Sequence, residues 1–113
     1  MIILNLPRPP TKNRLYYNGS HAKTKAYRQW CKNAGWEIII AGHKRITGPV
    51  EIEIALAPDT RGDTGNYETP TTDLLVTHGI IVDDSPKYIR QVLSRIADDV
   101  KTGMRVTVRE VAP

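Results

Sequence analysis

Residues 61–85 read RGDTGNYETPTTDLLVTHGIIVDDS, and the order of turn, short helix and apolar run within them decides how the rest of the chain is arranged. Thr69-Pro70 reads as a helix start. The hydroxyl would cap, and the proline would take the first helical position, where its missing N–H leaves no bond unmade. Gly79 ends the same helix as the left-handed residue past its last turn, so the helix spans roughly 70–78. Ile80, Ile81 and Val82 then read as part of a sheet edge that delivers Asp83 and Asp84.

Working outward, VEIEIALA at 50–57 follows the Gly48-Pro49 break and alternates Val50, Ile52, Ile54 and Leu56 against Glu51, Glu53 and Ala55. That is a half-exposed strand with an apolar inner face. Before it, Ser20 is positioned to cap a helix running to about Gly42, with Tyr27, Cys31, Ala34, Ile38 and Ala41 as its buried stripe. Lys25, Arg28 and Lys32 share another face of that helix. MIILNL at 1–6 is a short buried strand, ended by Pro7, Pro9 and Pro10.

On the far side, KYIRQVLSRI at 87–96 fits two patterns. Ile89, Val92, Leu93 and Ile96 form a helical stripe that Ser85-Pro86 could begin, while the β-branched content equally suits a strand. Residues 98–103 read as a turn, and MRVTVREV at 104–111 alternates cleanly as the closing strand. The 113 residues, 40% of them hydrophobic, make one domain over 1–113. The expected class is α+β, a mixed sheet of about four strands packed with two helices.

Charge is distributed unevenly. Residues 1–47 hold nine basic side chains against Glu37 alone, a net of +8, which leaves −4 for residues 48–113 of a chain whose total is +4. A basic first half attracts phosphate, and an acidic second half can hold a cation. The loop PRPPTKNRLYYNGSHAK at 7–23 mixes basic residues with Tyr16 and Tyr17, a combination suited to phosphate contact and base stacking. The tyrosines read equally well as anchors holding the loop to the core.

Several classes are excluded. Cys31 is the only cysteine, so there is neither an internal disulfide nor a cysteine metal cluster, and it reads as a small buried residue. His21, His43 and His78 have no metal-ligand spacing, and no Gly-x-x-x-x-Gly-Lys loop is present to bind a nucleotide cofactor. MIILNL is too short for a signal core or a membrane span, so a cytoplasmic protein without membrane attachment is expected.

Four landmarks in order, LPRPPTKNRLYY at 6–17, KAYRQW at 25–30, the segment from Asp63 to Asp73, and HGIIVDDS at 78–85, resemble the RusA family of Holliday junction resolvases. The resemblance implies a homodimer that binds four-way DNA junctions and makes paired, metal-dependent nicks. The family's Asp-x-Asp-Asn motif is matched by Asp63-Thr64-Gly65-Asn66, so its first acid and its asparagine are present and its second acid is glycine. The lysine that follows one helical turn later is Thr69 here, whereas Asp73, Gly79, Asp83 and Asp84 all match. The resemblance also implies that 87–96 is a strand forming a hairpin with 104–111.

Phosphodiester cleavage requires charge neutralisation at phosphate and an activated water, which Mg²⁺ supplies when one or two carboxylates hold it; Mn²⁺ can serve similarly. On the resemblance, Asp63 and Asp84 are the metal ligands, with Asp83 and Asp73 assisting catalysis, and Glu68 a candidate replacement for the missing acid. Lys12, Asn13, Arg14, Lys25, Arg28 and Arg61 would contact the DNA backbone. Each acid also has a structural reading: Asp73 at a helix N-terminus, Asp83 or Asp84 capping the turn at Ser85-Pro86, Asp63 in a turn beside Gly62. The alternative to an endodeoxyribonuclease is a catalytically inactive junction-binding protein.

Overall fold

The computed structural model describes residues 1–112, the side chain of Lys12 excepted. It is the expected α+β domain. Its elements are β1 (Ile2–Leu6), α1 (Lys25–Ala41), β2 (Val50–Leu56), α2 (Glu68–Thr77), β3 (Ile89–Ile96) and β4 (Met104–Glu110), with single 3₁₀ turns at Lys12–Arg14 and Thr64–Tyr67. The four strands form one mixed sheet in the order β1-β4-β2-β3.

Residues 87–96 do contribute a strand, but the expected hairpin with 104–111 does not form. β3 runs parallel to β2, with Ile52 opposite Val92 and Leu56 opposite Ile96. β4 lies on the other side of β2 and is antiparallel to both its neighbours, with Val106 opposite Leu4 and Ile54. The reason lies in the loop between them. Ala97 donates its N–H to Leu56 O (2.9 Å) and Ala57 donates to Gly103 O (3.1 Å), so the loop crosses the end of β2. Gly103, at φ +67°, comes so near β1 that an added Cβ would lie 2.5 Å from Leu6 O. β3, with Ser94 in its inward row and Leu93 exposed outside, tolerates an edge position; the fully buried Val106 and Val108 of β4 require neighbours on both sides.

α1 starts at Thr24 rather than Ser20. Residues 15–24 fold back on themselves, with Tyr16 bridged to Lys23 and Thr24 N–H donating to Leu15 O (2.9 Å). Thr24 Oγ1 accepts from Tyr27 N (3.2 Å) and donates to Arg14 O (2.6 Å), while Ser20 Oγ merely accepts from Ala22 N (2.9 Å) within the turn. The buried face is Tyr27, Trp30, Ala34, Gly35 and Ile38; Cys31 is half-buried and Ala41 exposed. Trp30 Nε1 donates to Pro7 O (2.8 Å), tying the helix to the proline-rich loop.

α2 also starts earlier than expected, running straight out of the Thr64–Tyr67 turn with no side-chain cap. Pro70 is therefore the third helical residue, still among the four N–H positions that have no partner inside a helix. Gly79, at φ +70°, ends it as expected. Ile80 and Ile81 are not part of the sheet edge. They are buried in the core instead, and Ile80 O accepts from Ile46 N (2.9 Å).

Both helices cover one face of the sheet, over Leu4, Ile52, Ile54, Val106 and Val108. The opposite face carries the register row Ile3, Thr107, Glu53 and Leu93, with the ion pairs Arg95–Glu53 (3.0 Å) and Arg109–Glu51. Among the described residues, no helix is long and apolar enough to cross a membrane.

Candidate functional site

Asp73 projects from the middle of α2, and the core burial of Ile80 and Ile81 brings the chain back so that Asp83 and Asp84 stand beside it. The three acids line an open cleft of about 360 Å³ together with Tyr16, Lys23, Tyr27 and Thr77. Asp73 is half-buried, while Asp83 and Asp84 are exposed. Burial raises the pKa of Asp73 above the ordinary carboxylate value, the Asp84 charge raises it further, and Lys23 opposes both.

Lys23 was not among the residues singled out from the sequence. Its backbone is paired to Tyr16, and its ammonium lies 5.2 Å from the centre of the Tyr27 ring. Tyr27 in turn meets Tyr16 edge to face, with ring centres 5.7 Å apart. Burial pushes the Tyr27 hydroxyl pKa upward, with smaller contributions from Cys31, Tyr16 and Asp73, so Tyr27 stays protonated. The Cys31 thiol is likewise pushed up by burial and remains an unreactive neighbour. The sequence signal for Lys23 is its place as the last residue of the basic, tyrosine-bearing loop at 7–23.

Beyond Tyr16 the surface continues into a neutral slot of about 270 Å³ between Leu15, Tyr16, Gly65, Asn66, Thr69 and Pro70. Gly65 and Thr69 both form its walls. Further along, a cleft of about 670 Å³ holds Arg8, Arg14, Arg61 and Tyr67. Arg8 is committed to Asp59 (2.6 Å) and Thr60 (2.7 Å), and the Arg8 guanidinium holds the Asp59 carboxyl below its ordinary pKa. Tyr67 Oη donates to Arg61 O (2.8 Å), fixing the backbone at that arginine.

The structure therefore brings Asp73, Asp83 and Asp84 together, while Asp63 sits exposed at the head of the Thr64–Tyr67 turn and outside the lining of their cleft. Glu68 accepts from the Ser94 hydroxyl (2.5 Å) on β3, and its carboxylate is 4.0 Å from where a side chain at Gly65 would begin. Among the described residues no group of three His, Cys, Asp or Glu side chains is close enough to hold a metal ion. A Mg²⁺ ion that keeps most of its waters requires only one or two carboxylates, and Asp73 and Asp84, which line the same cleft, are the pair that would supply them.

Of the predicted DNA contacts, Arg14 and Arg61 share the arginine cleft, and Asn13 is exposed in the turn before it. Lys25 and Arg28 are exposed at the start of α1, where Arg28 donates to Lys23 O (2.8 Å). The side chain of Lys12 lies outside the described residues. His78 is packed on α1, its Nε2 lying 2.5 Å from where a Cβ at Gly35 would stand. No protein-family model matches the chain, and no curated protein matches it significantly.

Proposed function

We propose that this chain is a Mg²⁺-dependent, structure-selective endodeoxyribonuclease that acts on branched DNA such as four-way junctions, working as a homodimer in the cytoplasm. The observation that carries this reading is the convergence of Asp73 and Asp84, from two separate elements, in an open cleft flanked by a basic loop. Asp73 and Asp84 would hold Mg²⁺ (or Mn²⁺). When bound, the ion would supply charge neutralisation at phosphate and an activated water.

The chain's own residues account for the remainder. Asp83, exposed in the same cleft and not needed to hold the ion, is placed to accept a proton from the attacking water and pass it to solvent. Lys23 lines the same cleft as the acids, near enough to act on Asp73, and provides positive charge there, whereas the position of the family's lysine is Thr69 in the neighbouring slot. Arg14 and Arg61 hold the backbone of the same strand and read no sequence.

The test is nicking of a labelled four-way junction with Mg²⁺, Mn²⁺ or EDTA. Metal-dependent nicking that falls about a hundredfold or more in Asp84→Asn and in Asp73→Asn supports the proposal. A second reading, an inactive junction-binding protein, is favoured because no three acids among the described residues are close enough together to hold a metal ion, and by Gly65 and Thr69. Such a protein would bind junctions equally in EDTA, and would nick only as the double variant Gly65→Asp with Thr69→Lys.

A further inference from the structure

The acid cleft, the neutral slot and the arginine cleft are linked through shared and chain-adjacent lining residues. Tyr16 lines both the first and the second, and Leu15 and Asn66 of the slot adjoin Arg14 and Tyr67 of the third. A strand whose phosphates are held by Arg14 and Arg61 and whose cleaved bond lies at Asp73 must pass over the slot. In this chain the slot carries no acid or lysine, because those positions are Gly65 and Thr69.

The walls that remain are suited to a flat, weakly polar group. Tyr16 is 41% exposed, and Pro70 and Leu15 supply apolar surface. Asn66, half-buried in the same wall, presents a carboxamide that can both donate to and accept from a base edge. At about 270 Å³ the slot has room for a nucleobase. We propose that it takes a single unpaired nucleobase from the bound DNA strand, stacked on Tyr16 and positioned by Asn66, with the adjoining phosphate on Arg14 and Arg61. This rests on the reading of the chain as a DNA-binding protein, and it adds a preference for strands with an unpaired base, as at a branch point.

The experiment compares three short DNA duplexes in EDTA, so that no cleavage occurs. One carries a single-nucleotide bulge of 2-aminopurine, one has an abasic nucleotide in the bulge, and one is fully paired. The native protein is expected to bind the base-bearing bulge about tenfold more tightly than the abasic one, and to quench 2-aminopurine fluorescence through stacking. Tyr16→Phe should retain the difference, and Tyr16→Ala, shown by circular dichroism to be folded, should abolish it. Equal affinity for the base-bearing and abasic bulges overturns the slot proposal while leaving DNA binding intact. A tenfold preference that survives in Tyr16→Ala also overturns it, because the base then lies elsewhere. Failure to bind any of the three duplexes, or a four-way junction, overturns the DNA-binding reading and the slot with it.

Discussion

Asp73 of α2 and Asp84 of the loop that follows stand in one cleft so that the charge on Asp84 raises the proton affinity of Asp73, on top of the larger effect of burial. A carboxylate whose ionisation is disfavoured by burial and by a neighbouring negative charge forms a site that a divalent cation would relieve. Lys23 offsets part of the repulsion from the loop side.

Because its pKa is raised on folding, Asp73 keeps its proton in the folded chain at pH values where the unfolded chain has released it. Stability therefore falls as pH rises from the ordinary carboxylate range through the raised value, and stays reduced above it. Without divalent ions, Asp73→Asn is expected to raise Tm by a few degrees at neutral pH, and to have little effect at about pH 3, where the Asp73 carboxyl is largely protonated in the folded and the unfolded chain alike. Thermal denaturation of both proteins across pH measures this; an equal difference at both extremes would exclude ionisation as its cause.

Mg²⁺ binding has a readout independent of cleavage. At about a hundred times its Kd, Mg²⁺ should stabilise the native protein by roughly 2.7 kcal/mol. Asp84→Asn should lose this gain and Asp63→Asn should keep it, since Asp63 lies outside the acid cleft. The reverse pattern in thermal shift would place the ion at Asp63.

Gly103→Ala is expected to destabilise by roughly 3 kcal/mol, combining left-handed backbone strain with the collision of a Cβ with Leu6 O. Urea denaturation would show it as a lower midpoint. A cost under about 1 kcal/mol would mean that the loop does not run against β1.

The start of α1 can be tested by two substitutions. Thr24→Ala should cost about 1–2 kcal/mol, since it removes the cap to Tyr27 N and the bond to Arg14 O. Ser20→Ala should cost less than about 0.5 kcal/mol, because that hydroxyl closes only an exposed turn. Equal costs in denaturant melts would contradict the helix start at Thr24.

What the sequence determined by itself was local. The period of two in VEIEIALA and MRVTVREV made both segments strands, the spacing of Tyr27, Ala34 and Ile38 made a helix, and Gly79 stopped another, because these patterns depend on neighbours along the chain. Residues 87–96 carried both periods, and the choice of strand came with the family resemblance. The acids Asp73, Asp83 and Asp84 came with Asp63 from the family resemblance, and only the core burial of Ile80 and Ile81 shows that these three meet in one cleft. Tertiary structure alone decided which strands pair, since the route from β3 to β4 depends on bonds from the 97–103 loop to β2 and its close approach to Leu6. It also decided that Lys23, from a loop some fifty residues away in sequence, faces Asp73 while Asp63 does not line that cleft. Such placements arise from backbone pairing and packing between distant segments, which no period or spacing along a single stretch encodes.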